Sequence, residues 1–117
     1  MVVWLYADET KRFSADLKTL MNSHEWLISP IVRLELSYLH EIGRINPTSD
    51  ALIEELNKRV GLSICPKPFN EIISIANSVD WTRDPFDRII VAHASLEDDI
   101  LITSDKLIRK NYPHAIW

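Results

Sequence analysis

The sequence predicts an α/β fold, a parallel sheet with helices on both faces, and three observations carry that reading. Short apolar runs recur at 26–28, 62–65 and 100–102. Segments with helical spacing separate them, and the switches are punctuated by Pro, Gly or a residue suited to capping. Strands that alternate with helices pair in parallel, because each crossover returns the chain to the same end of the sheet.

The elements follow in order. Residues 2–7 are apolar and fit either a helix start or a strand end, and 14–23 show helical spacing at Leu17, Leu20 and Met21. Trp26-Leu27-Ile28 reads as a strand that feeds a helix with Pro30 in its first turn. That helix runs to about Glu41 and stops at Gly43. Thr48-Ser49-Asp50 opens a second helix, with Leu52, Ile53, Leu56 and Val60 on one face, which ends before Gly61. Leu62 to Cys65 is the next strand. A helix over 69–77 and a polar loop from Ser78 to Arg83 come next. Asp84-Pro85 then starts a helix that reaches about Leu96. Ile100-Leu101-Ile102 forms a strand, 105–110 a short helix, and Ala115-Ile116-Trp117 a last strand.

Composition bounds the function. With 117 residues, 46% hydrophobic and 26% charged, the chain suits one globular domain that needs no disulfide or structural metal. No run approaches the length of a membrane span and the N-terminus lacks the pattern of a signal peptide, so a cytoplasmic location is expected. Cys65 stands alone, forms no internal disulfide and reads as a small buried apolar residue. The net charge of −4 argues against nucleic-acid binding through a broad basic face. It leaves room for a nuclease, since a cluster of carboxylates that holds divalent cations is itself acidic. Two glycines cannot build a phosphate-cradling loop, and the four histidines show no zinc-ligand spacing. His93 lies off the stripe Asp87, Ile90, Val91, Ala94 and reads as a partly exposed helix residue.

Sheets of this kind place their sites beyond the carboxyl ends of the strands, so the acids found there matter most. Glu35 shares a stripe with Ile31, Leu39 and Ile42. A carboxylate there needs a cation or several donors, unless it pairs with Arg33 or Arg44 or reaches solvent at the stripe's edge. Asp84 and Asp87 stand at the N-cap and N3 positions of their helix, which is sound helix-start chemistry, and for Asp84 that explanation leads. Asp87 also heads the stripe that faces the sheet. Asp105 follows Thr103-Ser104 directly after a strand, where it suits both a cap and a site. Glu35, Asp87 and Asp105 together suggest a site of hard oxygen donors, fit for Mg²⁺ or Mn²⁺. Arg83, Arg88, Lys106, Arg109 and Lys110 lie around these acids in sequence, as a solvated face or as contacts for phosphate.

Three segments carry a family resemblance: Ile28-Ser29-Pro30 through Glu35 to Glu41-Ile42-Gly43-Arg44-Ile45, Arg83-Asp84-Pro85-Phe86-Asp87-Arg88-Ile89-Ile90-Val91-Ala92-His93-Ala94, and Leu101-Ile102-Thr103-Ser104-Asp105. In order and spacing they resemble a PIN domain, and more narrowly the VapC-type toxins of toxin–antitoxin pairs. The resemblance implies a three-layer α/β fold over 1–117 as a single domain, and an endoribonuclease dependent on Mg²⁺ or Mn²⁺. It implies an RNA substrate, a cognate antitoxin and a homodimer, with no membrane association. By position, Glu35, Asp87 and Asp105 would be the catalytic metal ligands, with Thr103, Ser104 and Asp84 in support and Arg83, Arg88 and Lys106 contacting RNA. Family members begin with an apolar strand that ends in Asp. Here Met1-Val2-Val3-Trp4-Leu5 matches only the helix that follows, and Asp8 lies beyond the apolar segment, so an N-terminally truncated relative is expected. The rival reading is a catalytically silent PIN-like module that binds an antitoxin or RNA.

Overall fold

A computed structural model describes residues 24–117 together with Thr19 and Asn22. The readings of residues 2–7 and of Asp8 lie outside the described residues. So does that of 14–23, apart from Thr19 and Asn22, both of which are helical. Numbered over the described chain, the elements are β1 (Leu27–Ile28), α1 (Pro30–Glu41), α2 (Ser49–Val60), β2 (Ser63–Ile64), α3 (Phe69–Ala76), α4 (Pro85–Ser95), β3 (Leu101–Ile102), α5 (Lys106–Asn111) and β4 (Ala115–Ile116). The contacts divide the chain into two compact units, Met1–Ile64 and Cys65–Trp117.

In the first unit β1 and β2 pair in parallel, Leu27 opposite Ser63 and Ile28 opposite Ile64. Between them run two helices with well-made ends. Ser29 Oγ accepts from the Ile31 amide ahead of Pro30, and Thr48 Oγ1 accepts from the Ala51 amide at 3.2 Å. Each hydroxyl satisfies a donor that the first turn leaves without an intrahelical partner. Helix α2 stops at Gly61, whose φ of 73° is left-handed and free of strain only without a side chain. Its amide donates back to Asn57 O, and Asn57 Nδ2 donates to Leu62 O at 2.9 Å, which turns the chain into β2. Ile28, Leu36, Leu52, Leu56 and Leu62 form the core of this unit, flanked by Trp26, Val32 and Leu39.

The second unit repeats the parallel pairing: Leu101 lies opposite Ala115 and Ile102 opposite Ile116, with α5 as the crossover. The strands thus pair in parallel as expected, as two ladders of two strands among the described residues. Helix α4 is buried from two sides. Val91 and Ala94 pack with Ile108 and Tyr112, while Ala92 packs with Ile72 and Ala76 of α3. This corrects the reading of His93 as partly exposed: the residue is 4% exposed. A helix covered on two flanks buries positions that lie off a single stripe. Cys65 is free and buried, as its composition-based reading expects. Among the described residues no helix is long and apolar enough to cross a membrane.

Candidate acidic site

Helix α4 begins at Asp84, whose Oδ1 accepts from the Phe86 amide at 2.9 Å and the Asp87 amide at 3.4 Å. Thr82 Oγ1 accepts from the Asp84 amide, which fixes the cap itself. The capping explanation for Asp84 therefore holds. Its charge also lies at the positive end of the helix. Asp87 is half-buried and stands one turn before Val91, on the flank that packs against α5.

Asp105 caps α5: its Oδ1 accepts from the Ile108 amide at 2.9 Å, and its own amide donates to Thr103 Oγ1 at 3.1 Å. Thr103 is held in turn by its amide bond to Ile116 O, which extends the β3–β4 pairing. The Oδ1 bond to the Ile108 amide fixes the rotamer of the Asp105 side chain. Helix α4 passes through a tight turn into β3, where the Asp99 amide donates to Ala94 O at 2.8 Å. β3 is followed by the α5 crossover to parallel β4. Asp105 thus stands directly after β3, and Asp87 stands in the first turn of α4. Asp87 precedes Val91 by one turn and Asp105 precedes Ile108 by one turn, and Val91 and Ile108 share a cluster.

Glu35 belongs to the first unit. The buried face of α1 centres on Leu36 with Val32 and Leu39, while Leu34, Tyr38 and Ile42 are 58%, 55% and 48% exposed. Glu35 lies at the border of these two faces and is half-buried. This corrects the stripe on which sequence periodicity placed it, since Ile42 faces water. Arg33 pairs with Asp50 at 3.3 Å. Among the described residues no group of three or more His, Cys, Asp or Glu forms a cluster able to hold a metal ion. The donor chemistry of Asp87 and Asp105 still fits Mg²⁺ or Mn²⁺: such ions keep several waters, bind through one or two carboxylates and take further oxygens from a substrate phosphate.

The basic residues divide. Arg83 and Lys106 are exposed. Arg88 is partly buried and uses Nε to bond Thr82 O at 2.8 Å, which locks the loop before α4. Arg109 reaches Ser104 O at 3.5 Å.

This chain matches the family model for the PIN domain over residues 1–112. It belongs to the PIN-domain family. The match spans both units of this PIN domain, and nuclease chemistry is the general property of the family. No curated protein and no solved structure matches the chain.

Sequence reasoning missed one polar cluster of the PIN domain. Lys67 Nζ donates to His93 O and to Asp99 Oδ2, each at 2.6 Å, and Tyr112 Oη donates to Asp99 O at 2.6 Å. The available signal was a lysine held between Pro66 and Pro68 at the junction of a buried strand and a helix. Its partners lie 26 and 32 residues away, beyond any local pattern. His93 Nδ1 donates to Ile89 O at 3.1 Å, and Phe69 lies against the ring with centroids 6.3 Å apart. Burial foremost, with the Lys67 charge as a smaller contribution, holds the His93 pKa below its ordinary 6.5. The unfolded chain therefore binds a proton here before the folded one does. Neutral His93 contributes fully above about pH 6.5, and stability falls as the pH drops from there toward the lowered folded-state pKa. Thermal unfolding followed from pH 7.5 to 5 should show this decline, and His93→Gln should flatten it. An equal decline in the variant would assign the acid sensitivity to other groups.

Proposed function

We propose that this PIN domain is a Mg²⁺- or Mn²⁺-dependent endoribonuclease, the toxin of a cytoplasmic toxin–antitoxin pair, acting as one domain over residues 1–117. The observation that supports it most is the PIN-domain match over residues 1–112, with Asp87 in the first turn of α4 and Asp105 directly after β3. Asp87 and Asp105 would hold the ion, with Thr103, Ser104 and Asp84 fixing the loops that carry them. When bound, such an ion supplies a Lewis acid that lowers the pKa of water and stabilises charge on a phosphodiester.

The chain's own residues do the rest. Asp84 fixes the start of α4 and so orients Asp87, and Thr103 holds the backbone of Asp105 in place. Arg83 and Lys106, both exposed, would meet the phosphates of a single-stranded or looped RNA, while Arg88 stiffens the entry to α4. Hydrolysis of this kind needs no 2′-hydroxyl and leaves a 5′-phosphate. The partners in this proposal are the RNA, an antitoxin that covers the acids, and a second copy of the chain.

The test is cleavage of a mixed single-stranded RNA pool by the full chain. Cutting in Mg²⁺ or Mn²⁺, its loss in EDTA and its return on adding metal are the expected results. Cutting that persists in EDTA would overturn the metal-dependent reading. RNA or antitoxin binding with no cutting under either metal would favour a silent binding module; the observation on its side is that no three-residue metal cluster forms among the described residues.

A further inference from the structure

Lys67 is only 8% exposed in its side chain, an expensive place for an ammonium. An apolar side chain of similar volume would fill that space with equal or better stability, because desolvation offsets much of the attraction between buried charges. What an apolar residue could not do is join separate segments. Nζ donates to His93 O, near the end of α4, and to Asp99 Oδ2, each at 2.6 Å, and Tyr112 Oη donates to Asp99 O at 2.6 Å. Three stretches of chain thus meet at Asp99: the entry to α3, the turn between α4 and β3, and the residue that ends α5.

Each of the three is weak on its own. Helix α3 starts after Pro68 with no side-chain cap bond, and Lys67, one residue earlier, supplies a polar anchor for that entry. Pro66 and Pro68 restrict the backbone on both sides of Lys67, so residues 65–68 move as one stiff piece. In the turn, Asp98 holds a left-handed φ of 55°, which a residue with a side chain adopts at a cost. Helix α5 has six residues, far too few to persist by itself, and Tyr112 fastens its end. We infer that Lys67, Asp99 and Tyr112 form one clasp, so that residues 65–68, the turn between α4 and β3 and the end of α5 open together as one local unit and not independently. Local units open more often than a whole protein unfolds, and a shared polar node makes their release cooperative.

The test uses the full chain and three reporters, one in each stretch. Cys65, the single cysteine of the sequence and a buried thiol, reports residues 65–68 through its rate of alkylation. Amide hydrogen exchange followed by nuclear magnetic resonance reports the other two, at Asp99, whose amide donates to Ala94 O, and at Tyr112, whose amide donates to Ile108 O. Lys67→Met keeps the length of the stem and removes the donors. All three reporters should speed up by one common factor of at least about ten, the scale set by losing bonds to a charged group. Tyr112→Phe removes only the hydroxyl and leaves both bonds of Nζ in place. It should still speed all three by about threefold, Cys65 included. If in either variant only the reporter beside the substitution moves, or none does, the stretches open independently and the inference is overturned. The amides of α2, in the other unit, are the control for global unfolding. They should rise by a smaller factor, and a rise equal to that of the reporters overturns the inference. If Lys67→Met does not fold, as judged by circular dichroism, Tyr112→Phe decides by the same criteria.

Discussion

Asp87→Asn should lower RNA cleavage by about a hundredfold or more while leaving the fold in place. The asparagine keeps the shape of the side chain but gives up the charge and one of the two oxygens that a hard cation prefers, and losing a ligand should cost at least as much as losing a group behind one. The structural cost is small, since Asp84 and not Asp87 makes the cap bonds at 2.9 and 3.4 Å. What is lost is a favourable charge in the first turn, about 0.3–1 kcal/mol. Cleavage rates and melting curves on the same preparation separate the two effects. A variant that cuts as fast as the wild type would remove Asp87 from the site, and one that melts far earlier would show that its role is structural.

Leu56→Ala should destabilise the protein by about 2–5 kcal/mol, read as a shift in the urea midpoint. Leu56 is fully buried and packs with Ile28, Leu36, Leu52 and Leu62. Two of these come from α1 and α2, and the other two stand on β1 and just before β2. Removing its three side-chain carbons leaves a void that four different segments line, and the surroundings can close it only in part. A loss under about 1 kcal/mol would mean that this core relaxes far more freely than close packing allows.

Much of this fold is written locally. Ser29-Pro30, Thr48, Gly61, Asp84-Pro85 and Asp105 each mark an observed helix end, because a cap is a bond between residues two to four apart and so leaves a trace in the order of the chain. Long-range placement leaves no such trace. Periodicity assigns one face to a helix, so the double burial of α4 hid His93, and the exposure of Ile42 contradicted the stripe on α1. Asp84, Asp87 and Asp105 were legible as helix-start residues, whereas Glu35 stands in the middle of α1. Lys67 was not legible, since its role depends on two acceptors that only the folded chain brings within 2.6 Å.

The two short ladders carry a further consequence for the order of assembly. Leu27 and Ser63 pair across about 36 residues of chain, whereas Leu101 and Ala115 pair across about 14. Closing the shorter loop costs about 0.8 kcal/mol less chain entropy, a rate advantage of roughly fourfold if nothing else differs. The β3–α5–β4 crossover that carries Asp105 is therefore the cheaper nucleus. In refolding it should acquire amide protection ahead of the β1–β2 pair, so that the turn capped by Asp105 takes shape while the longer crossover is still searching.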